Sequence, residues 1–448
     1  MRWIDYFGQA KKPLFDTQKP DKSRSEFQKD YDRIVFSSAF RRLQNKTQVL
    51  PFPKSDYVRN RLTHSLETAS VGRSLGNIVG EVITNRYPEL EKEAGISSVD
   101  FGHLVSAACL THDIGNPPFG HSGEEAISSF FKSEKAAALI KDLTGKQKAD
   151  LQNFEGNASG FRIIAQTPAN ISDIKGGLRL TLGTYATFVK YPKESLPVRK
   201  NEGKASLKKF GIYQSEIDLF EKEIAGPLHL IPQHKDHGKA WKRFPLTFLV
   251  EAADDICYHI IDFEDGFNMG FIPFQLIEEL FMNLIETNET FRGRYKLIKS
   301  QKEKINYLRS MAINRLVKDT AALFIDHEEE FVNGKKDVPL MDILPAGKKQ
   351  VLDTIIKYSL RDIYQSEPVL KIEIAGKKVL PDLLEKFTAA VLEPEKNKQL
   401  YKLIPASYKG GENNYEKLLN IAMFISDMTD RKAVEYYKNL NGISLAGY

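Results

Sequence analysis

Residues 110–125 read LTHDIGNPPFGHSGEE. The apolar run LVSAACL (104–110) leads into them and reads as the last turns of a buried helix. Gly115 and Pro117 supply its ending, because proline cannot continue the hydrogen-bond ladder. His112 and Asp113 are neighbours, about 100° apart on a helix. Both reach one ion only if it sits beside the helix end, where the backbone is already relaxing. By itself a His-Asp pair is usually a capping or surface feature. After a stiff loop from Gly115 to Gly120, His121 and Glu124 return on the next helix.

Nine histidines occur in the chain, and two more positions bear on this stretch. His64 lies in RNRLTHSLETA, within an amphipathic helix predicted over 63–83. Asp254 lies in FPLTFLVEAADDICYHIIDFEDG (244–266), the most apolar helical pattern in the chain. A carboxylate buried there needs a cation or hydrogen-bond donors. Asp254, Tyr258 and Asp262 are four apart in succession and share one face. Imidazole nitrogens and carboxylate oxygens on rigid helices suit a divalent metal. Taken singly, His64 reads as a partly exposed helix histidine and Asp254 as a core carboxylate paired with an arginine. Asp255, His103, His229, His259 and His327 read as structural, and His234 and His237 as solvated loop residues.

The bulk properties fit a globular chain. Of 448 residues, 42% are hydrophobic and 27% charged, and a net charge of +5 is too mild to imply nucleic-acid binding. Two cysteines, Cys109 and Cys257, cannot form a disulfide framework and suit a reducing compartment. Neither a signal-peptide core nor a membrane-length apolar run is read, so a cytoplasmic soluble protein is expected, with no membrane partner. Helical periodicity dominates, with patterns over 25–49, 63–83, 98–113, 244–266, 274–290, 300–331, 341–364, 380–393 and 414–442. The alternation in PVLKIEIAGKKVL (368–380) predicts a β-hairpin, and the lysine-, glycine- and proline-rich 192–212 a mobile loop or insertion.

In chain order the motifs are FRRLQNKTQV (40–49), RNRLTHSLE (59–67), THDIGNPPFGHSGEE (111–125), FEGNASGFRI (154–163), FVKYP (188–192), EAADDICYHIIDFED (251–265) and SDMTDRKAVEYYKNLNGI (426–443). Together they resemble the HD-domain phosphohydrolases, and within them the deoxynucleoside-triphosphate triphosphohydrolase (dGTPase-like) branch. The resemblance implies a mainly α-helical HD-domain fold. Residues 1–275 would form the HD-type catalytic core, carrying the 192–212 insertion. Residues 276–448 would form a C-terminal helical extension with the 368–380 hairpin, completing the nucleotide pocket or an oligomer interface.

The resemblance also implies roles. His64, His112, Asp113 and Asp254 would hold one divalent metal, manganese or magnesium. Hydrolysis at the α-phosphorus of a dNTP would yield a deoxynucleoside and inorganic tripolyphosphate. His121 matches the histidine assigned to the catalytic step, and Glu124 could hold its imidazole; Glu124 alone also reads as a first-turn charge meeting the helix dipole. Arg61, Lys190 and Tyr258 match phosphate-side contacts. Arg42 and Lys46 are further candidates, or equally a solvated basic helix end. Gln48, Val49 and Asp262 match positions that fix the 3′-hydroxyl and crowd the 2′ carbon, which would favour deoxynucleotides. Tyr191 matches a residue near sugar and phosphates, Asn157 a nucleotide-pocket amide, and Arg431 a residue reaching a pocket across a subunit boundary. The family assembles as homo-oligomers, often hexamers, and some members take a nucleotide activator or single-stranded DNA. The alternatives are another HD-domain nucleotide phosphohydrolase, or a non-catalytic nucleotide sensor or single-stranded-DNA-binding protein.

Overall fold

The structure, a computed structural model, describes residues 2–14, 24–49, 59–166, 177–197, 203–233 and 238–444. The helices that build the site are α1 (Arg61–Arg86), α2 (Ser98–Thr111), α3 (Gly120–Lys132), α4 (Gly156–Ala165), α5 (Thr247–Asn268), α6 (Glu367–Leu392), α7 (Asn414–Ser426) and α8 (Asp430–Leu440). Among the described residues no β-sheet forms, only isolated bridges such as Thr47 with Asn60.

The packing of α1 on α2 follows from three glycines one turn apart. A Cβ at Gly72 would fall 2.5 Å from Cys109 Sγ, one at Gly76 2.6 Å from the Phe101 carbonyl oxygen, and one at Gly80 2.3 Å from that of Ser98. Without side chains on this ridge the two backbones touch. α5 closes over both helices, with Ala252, Ala253, Ile256, Cys257 and Ile260 fully buried. An aromatic cluster of Trp3, Phe7, Phe101 and Phe324 extends this first core.

A second core joins the early and late parts of the chain. Ile127, Phe130 and Phe131 of α3 pack with Leu380, Leu383 and Phe387 of α6 and with Leu418, Ile421 and Phe424 of α7. The hairpin expected over 368–380 is instead part of α6, a continuous helix that carries Pro381 in its interior. Its buried Val369, Gly376, Val379, Leu380, Leu383, Leu384 and Phe387 recur at three- and four-residue steps. Packing of that face overrides the local alternation that suggested strands. Gly376, within that stretch, is where the ring of Phe119 meets the helix: a Cβ there would lie 2.9 Å from it.

Much of the expected insertion at 192–212 is packed where it is described, although Gly203 and Lys208 are exposed. Glu194 is fully buried, accepts from Lys146 and Gln214, and Ser206, Leu207, Phe210 and Ile212 are buried too. Residues 198–202 lie outside the described residues, as do His234 and His237. The helix expected over 25–49 breaks at Ser37, where the backbone is extended and the hydroxyl caps the next turn by accepting from the Phe40 amide at 3.1 Å. Cys109 and Cys257 are buried free thiols. No helix among the described residues is long and apolar enough to cross a membrane.

Candidate functional site

α2 ends at Thr111, so His112 stands at the cap, where the sequence expects it. Its Nδ1–H donates to the Cys109 carbonyl at 2.6 Å, which fixes the tautomer, and its buried Nε2 has no hydrogen-bond partner. His64, one turn into α1, brings Nε2 to 3.2 Å from Asp254 Oδ1, and His112 Nε2 lies 3.5 Å from the same oxygen. Ligand atoms of His64, His112 and Asp254 fall within 4.8 Å of one another. Beside them, Asp113 Oδ1 accepts from Arg61 Nη1 at 2.8 Å, while its buried Oδ2 has no partner. Two imidazole nitrogens and a carboxylate oxygen, with a second oxygen unused alongside, are a donor set that could hold a divalent ion.

The electrostatics agree. Burial opposes the charge on Asp254, but Lys190, His112 and His64 outweigh it and hold the carboxyl well below its ordinary range. Burial likewise opposes ionisation of Asp113, and Arg61 and His112 overcome it, keeping that carboxyl low. For His64 burial is outweighed by the hydrogen bond and charge of Asp254, which raise its proton affinity; a metal ion would compete for the same negative field. His112 is pushed down by burial, toward the neutral imidazole that ligation requires.

Beyond Asp113 the chain turns through Asn116, Pro117 and Pro118. Phe119 takes a left-handed backbone with φ 65°, Gly120 follows at φ 57°, and α3 begins. In its first turn His121 Nδ1 and Glu124 Oε2 lie 2.8 Å apart, and Glu124 Oε1 accepts from the Gly156 amide at the start of α4 at 2.7 Å. Burial would raise the Glu124 carboxyl, but the His121 hydrogen bond and the Lys209 charge overcome it and keep it low. An ionised Glu124 therefore accepts from Nδ1–H and turns His121 Nε2 outward. The His121 side chain is 87% exposed, and among the described residues it is this bond that orients it.

One cavity of about 520 Å³ unites these groups. It is lined by His64, His112, Asp113, Asp254, His121 and Glu124, and by Gln48, Val49, Arg61, Asn157, Lys190, Tyr191, Tyr258 and Asp262. Asp254, Tyr258 and Asp262 do share a face of α5. Arg431 does not line the cavity; it is exposed in the first turn of α8. Lys190 Nζ pairs with Asp254 Oδ2 at 2.6 Å, and Arg243, bound to Glu251 and to the Lys190 carbonyl, steadies that segment. Asn157 donates to Glu155 Oε1 at 2.7 Å. Gln48 Oε1 is buried without a partner. Lys46 fits neither expectation: its ammonium is buried and donates to the carbonyls of Asn116 and Ser426 at 2.6 and 2.8 Å. Arg42 pairs with Asp427 at 2.7 Å.

The sequence reading missed several lining residues. Tyr364 donates to Asp262 Oδ2 at 2.9 Å and stacks on Tyr258, with centroids 5.8 Å apart. Burial pushes the Asp262 carboxyl up to about 7, against the His64 charge and the Tyr364 bond. Lys209 binds Glu155 at 3.0 Å, and Lys208, Ile372 and Glu373 also line the cavity. Glu155 stands inside a quoted motif and was within reach; Tyr364 and Lys209 sit in segments without one.

The HD-domain family model matches residues 61–164, from the start of α1 to the last turn of α4. A Synechocystis protein named deoxyguanosinetriphosphate triphosphohydrolase-like is 43% identical over 461 residues, covering 99% of this chain and 100% of that protein. A Pseudomonas aeruginosa protein of the same description is 37% identical, covering 94% of each chain. A Yersinia enterocolitica protein named deoxyguanosinetriphosphate triphosphohydrolase is 31% identical, covering 82% of this chain and 77% of its own. This chain therefore belongs to the deoxyguanosinetriphosphate triphosphohydrolase-like family of HD-domain proteins.

Proposed function

We propose that the protein is a metal-dependent hydrolase that cleaves dNTPs at the α-phosphorus, releasing a deoxynucleoside and inorganic tripolyphosphate. The observation that carries this reading is the opening of the His121–Glu124 pair into the same cavity as the His64, His112 and Asp254 cluster. Asp113 is the fourth ligand in this reading, through its partnerless oxygen. The ion, manganese or magnesium, would supply Lewis-acid polarisation of the α-phosphate and a lowered pKa for water.

The chain's own residues do the rest. Lys190, Arg61 and Lys209 meet the triphosphate charge with preorganised donors. Tyr258 joins them on the phosphate side, Asp262 and Gln48 take up the sugar, and Val49 leaves a 2′-hydroxyl without room or partner. Water attacks phosphorus, the bond from phosphorus to the 5′-oxygen breaks, and His121 delivers the proton that this oxygen needs. Assembly as a homo-oligomer, with Arg431 entering a neighbouring subunit's pocket, and activation by a second nucleotide or single-stranded DNA belong to the same proposal.

Product analysis tests it: all four dNTPs and GTP, each with manganese, with and without a second nucleotide. Tripolyphosphate from dNTPs and little turnover of GTP are expected. Release of pyrophosphate or orthophosphate overturns attack at the α-phosphorus.

A further inference from the structure

The turn that delivers His121 is sterically disfavoured. Phe119 is not a glycine, yet its backbone sits in the left-handed region, so the surrounding structure must hold it there. Its amide donates at 3.1 Å to Oδ1 of Asp430, from the first turn of α8, more than three hundred residues away. The other oxygen, Oδ2, accepts from the Thr47 amide at 2.9 Å and from the Thr47 hydroxyl. Asp430 is buried, and each of its oxygens is committed to a different segment.

Lys46 makes the matching clamp. Its buried ammonium bridges the Asn116 carbonyl in the turn and the Ser426 carbonyl at the end of α7. The Ser426 hydroxyl in turn donates to the Gly115 carbonyl at 3.2 Å. Both ends of the turn from Gly115 to Phe119 are thus tied to the segment joining α7 to α8, and through Lys46 and Thr47 to the strip that carries Gln48 and Val49. Neither Asp430 nor Lys46 lines the cavity.

We propose that Asp430, with Lys46, is a positioning residue: it holds Phe119 in its left-handed conformation and so sets where His121 stands relative to the metal cluster. This rests on the reading of His121 as proton donor. The α7–α8 segment then acts on the proton-transfer step rather than on the cluster of His64, His112 and Asp254, which α1, α2 and α5 carry; Asp113, the fourth ligand of that reading, precedes the turn and is held by Arg61 as well as by Asn116.

Asp430→Asn in the full-length protein tests this, since one acceptor oxygen is lost while size and shape are kept. With wild-type turnover of dNTP established first, kcat should fall about ten- to a hundredfold, the scale of a small misplacement, with KM within threefold. Manganese content stays stoichiometric. Hydrogen exchange of the peptide spanning 115–121 accelerates, while peptides of α1 do not change. Lys46→Met should reproduce the same pattern, and the two losses should be less than additive. Unchanged exchange at 115–121, or loss of manganese in step with kcat, overturns the proposal. If the wild type hydrolyses no dNTP, the functional reading fails, while exchange and metal content still decide whether Asp430 holds the turn.

Discussion

Lys190 Nζ lies 2.6 Å from Asp254 Oδ2, and the other oxygen of that carboxylate faces His64 at 3.2 Å. One aspartate thus serves the Lys190 ammonium on one side and the His64 imidazole on the other. Burial opposes the charge on Lys190, but Asp254 and Glu251 outweigh it and hold its proton firmly. The pair therefore stays ionised across the working pH range. Under the proposed function, a substrate phosphate competing for Lys190 would leave more of the Asp254 charge to a metal ion in the cluster.

Lys190→Gln should accordingly separate two properties. Manganese affinity by calorimetry is expected to hold or rise, because Asp254 no longer shares its charge. kcat/KM for a dNTP is expected to drop about a hundredfold, the usual cost of one preorganised donor. Asp254→Ala and His112→Ala lose metal and activity together. Weaker manganese binding by Lys190→Gln with unchanged turnover would contradict the assignment.

His121 and Glu124 should behave as one unit. His121→Ala is expected to lower kcat by about 10²- to 10⁴-fold, the range of general acid catalysis, with KM nearly unchanged. Glu124→Gln removes the charged acceptor that orients the ring and should cost about ten- to a hundredfold. Adding it to His121→Ala should cost almost nothing more, since Glu124 acts through a ring already gone. Fully additive losses would separate the two residues and sink the pairing.

How far the sequence was legible follows from how local each signal is. The helix stop at His112 and the return at His121 were readable because Gly115 and the two prolines act on their own backbone. The shared face of Asp254, Tyr258 and Asp262 followed from helical geometry alone. The α6 hairpin was misread because alternation over Val369–Ile374 is a local cue, whereas the packing of Leu380, Leu383 and Phe387 on α3 and α7 is not. Lys46 read as a phosphate-contact candidate or a solvated helix end for the same reason: its carbonyl partner at Ser426 is 380 residues away. Tyr364 and Lys209 reach the cavity only through tertiary packing, so no spacing announced them.

Asp150 links the early chain to α7: its Oδ2 accepts from the Gln214 amide at 2.8 Å and the Tyr415 hydroxyl at 2.5 Å. Burial pushes its carboxyl up to about 7, beyond what those bonds recover. The folded protein therefore binds this proton more tightly than the unfolded chain, whose carboxyl titrates near ~3.9. Between about pH 4 and 7 the native state carries the extra proton, so this residue's contribution to stability falls as pH rises through that window. Asp150→Asn removes the titration while keeping the neutral shape. Its stability relative to wild type in urea should climb with pH, by at most ~1.4 kcal/mol per unit, and level off above about 7. Parallel curves for the two proteins would rule out this residue as the source.

The glycine ridge of α1 gives a test that joins fold to site. A Cβ at Gly76 would lie 2.6 Å from the Phe101 carbonyl oxygen and 2.7 Å from Gly102 Cα, both backbone atoms of α2. No rotamer change can relieve that clash, so Gly76→Ala must separate the helices. His64 rides on α1 and His112 caps α2, with ring centroids 5.2 Å apart, so the separation reaches the metal cluster. Overpacking of this kind costs ~1–3 kcal/mol. Manganese affinity should weaken about tenfold alongside the lowered melting temperature. Gly145→Ala is the matched control: a Cβ there meets nothing within 4 Å, at the first position of a helix. It should leave metal binding unchanged and stability equal or higher by ~0.5 kcal/mol. Thermal unfolding and manganese calorimetry on both variants decide the matter. If Gly76→Ala matches Gly145→Ala in both, the α1–α2 contact does not set the spacing of the two histidines.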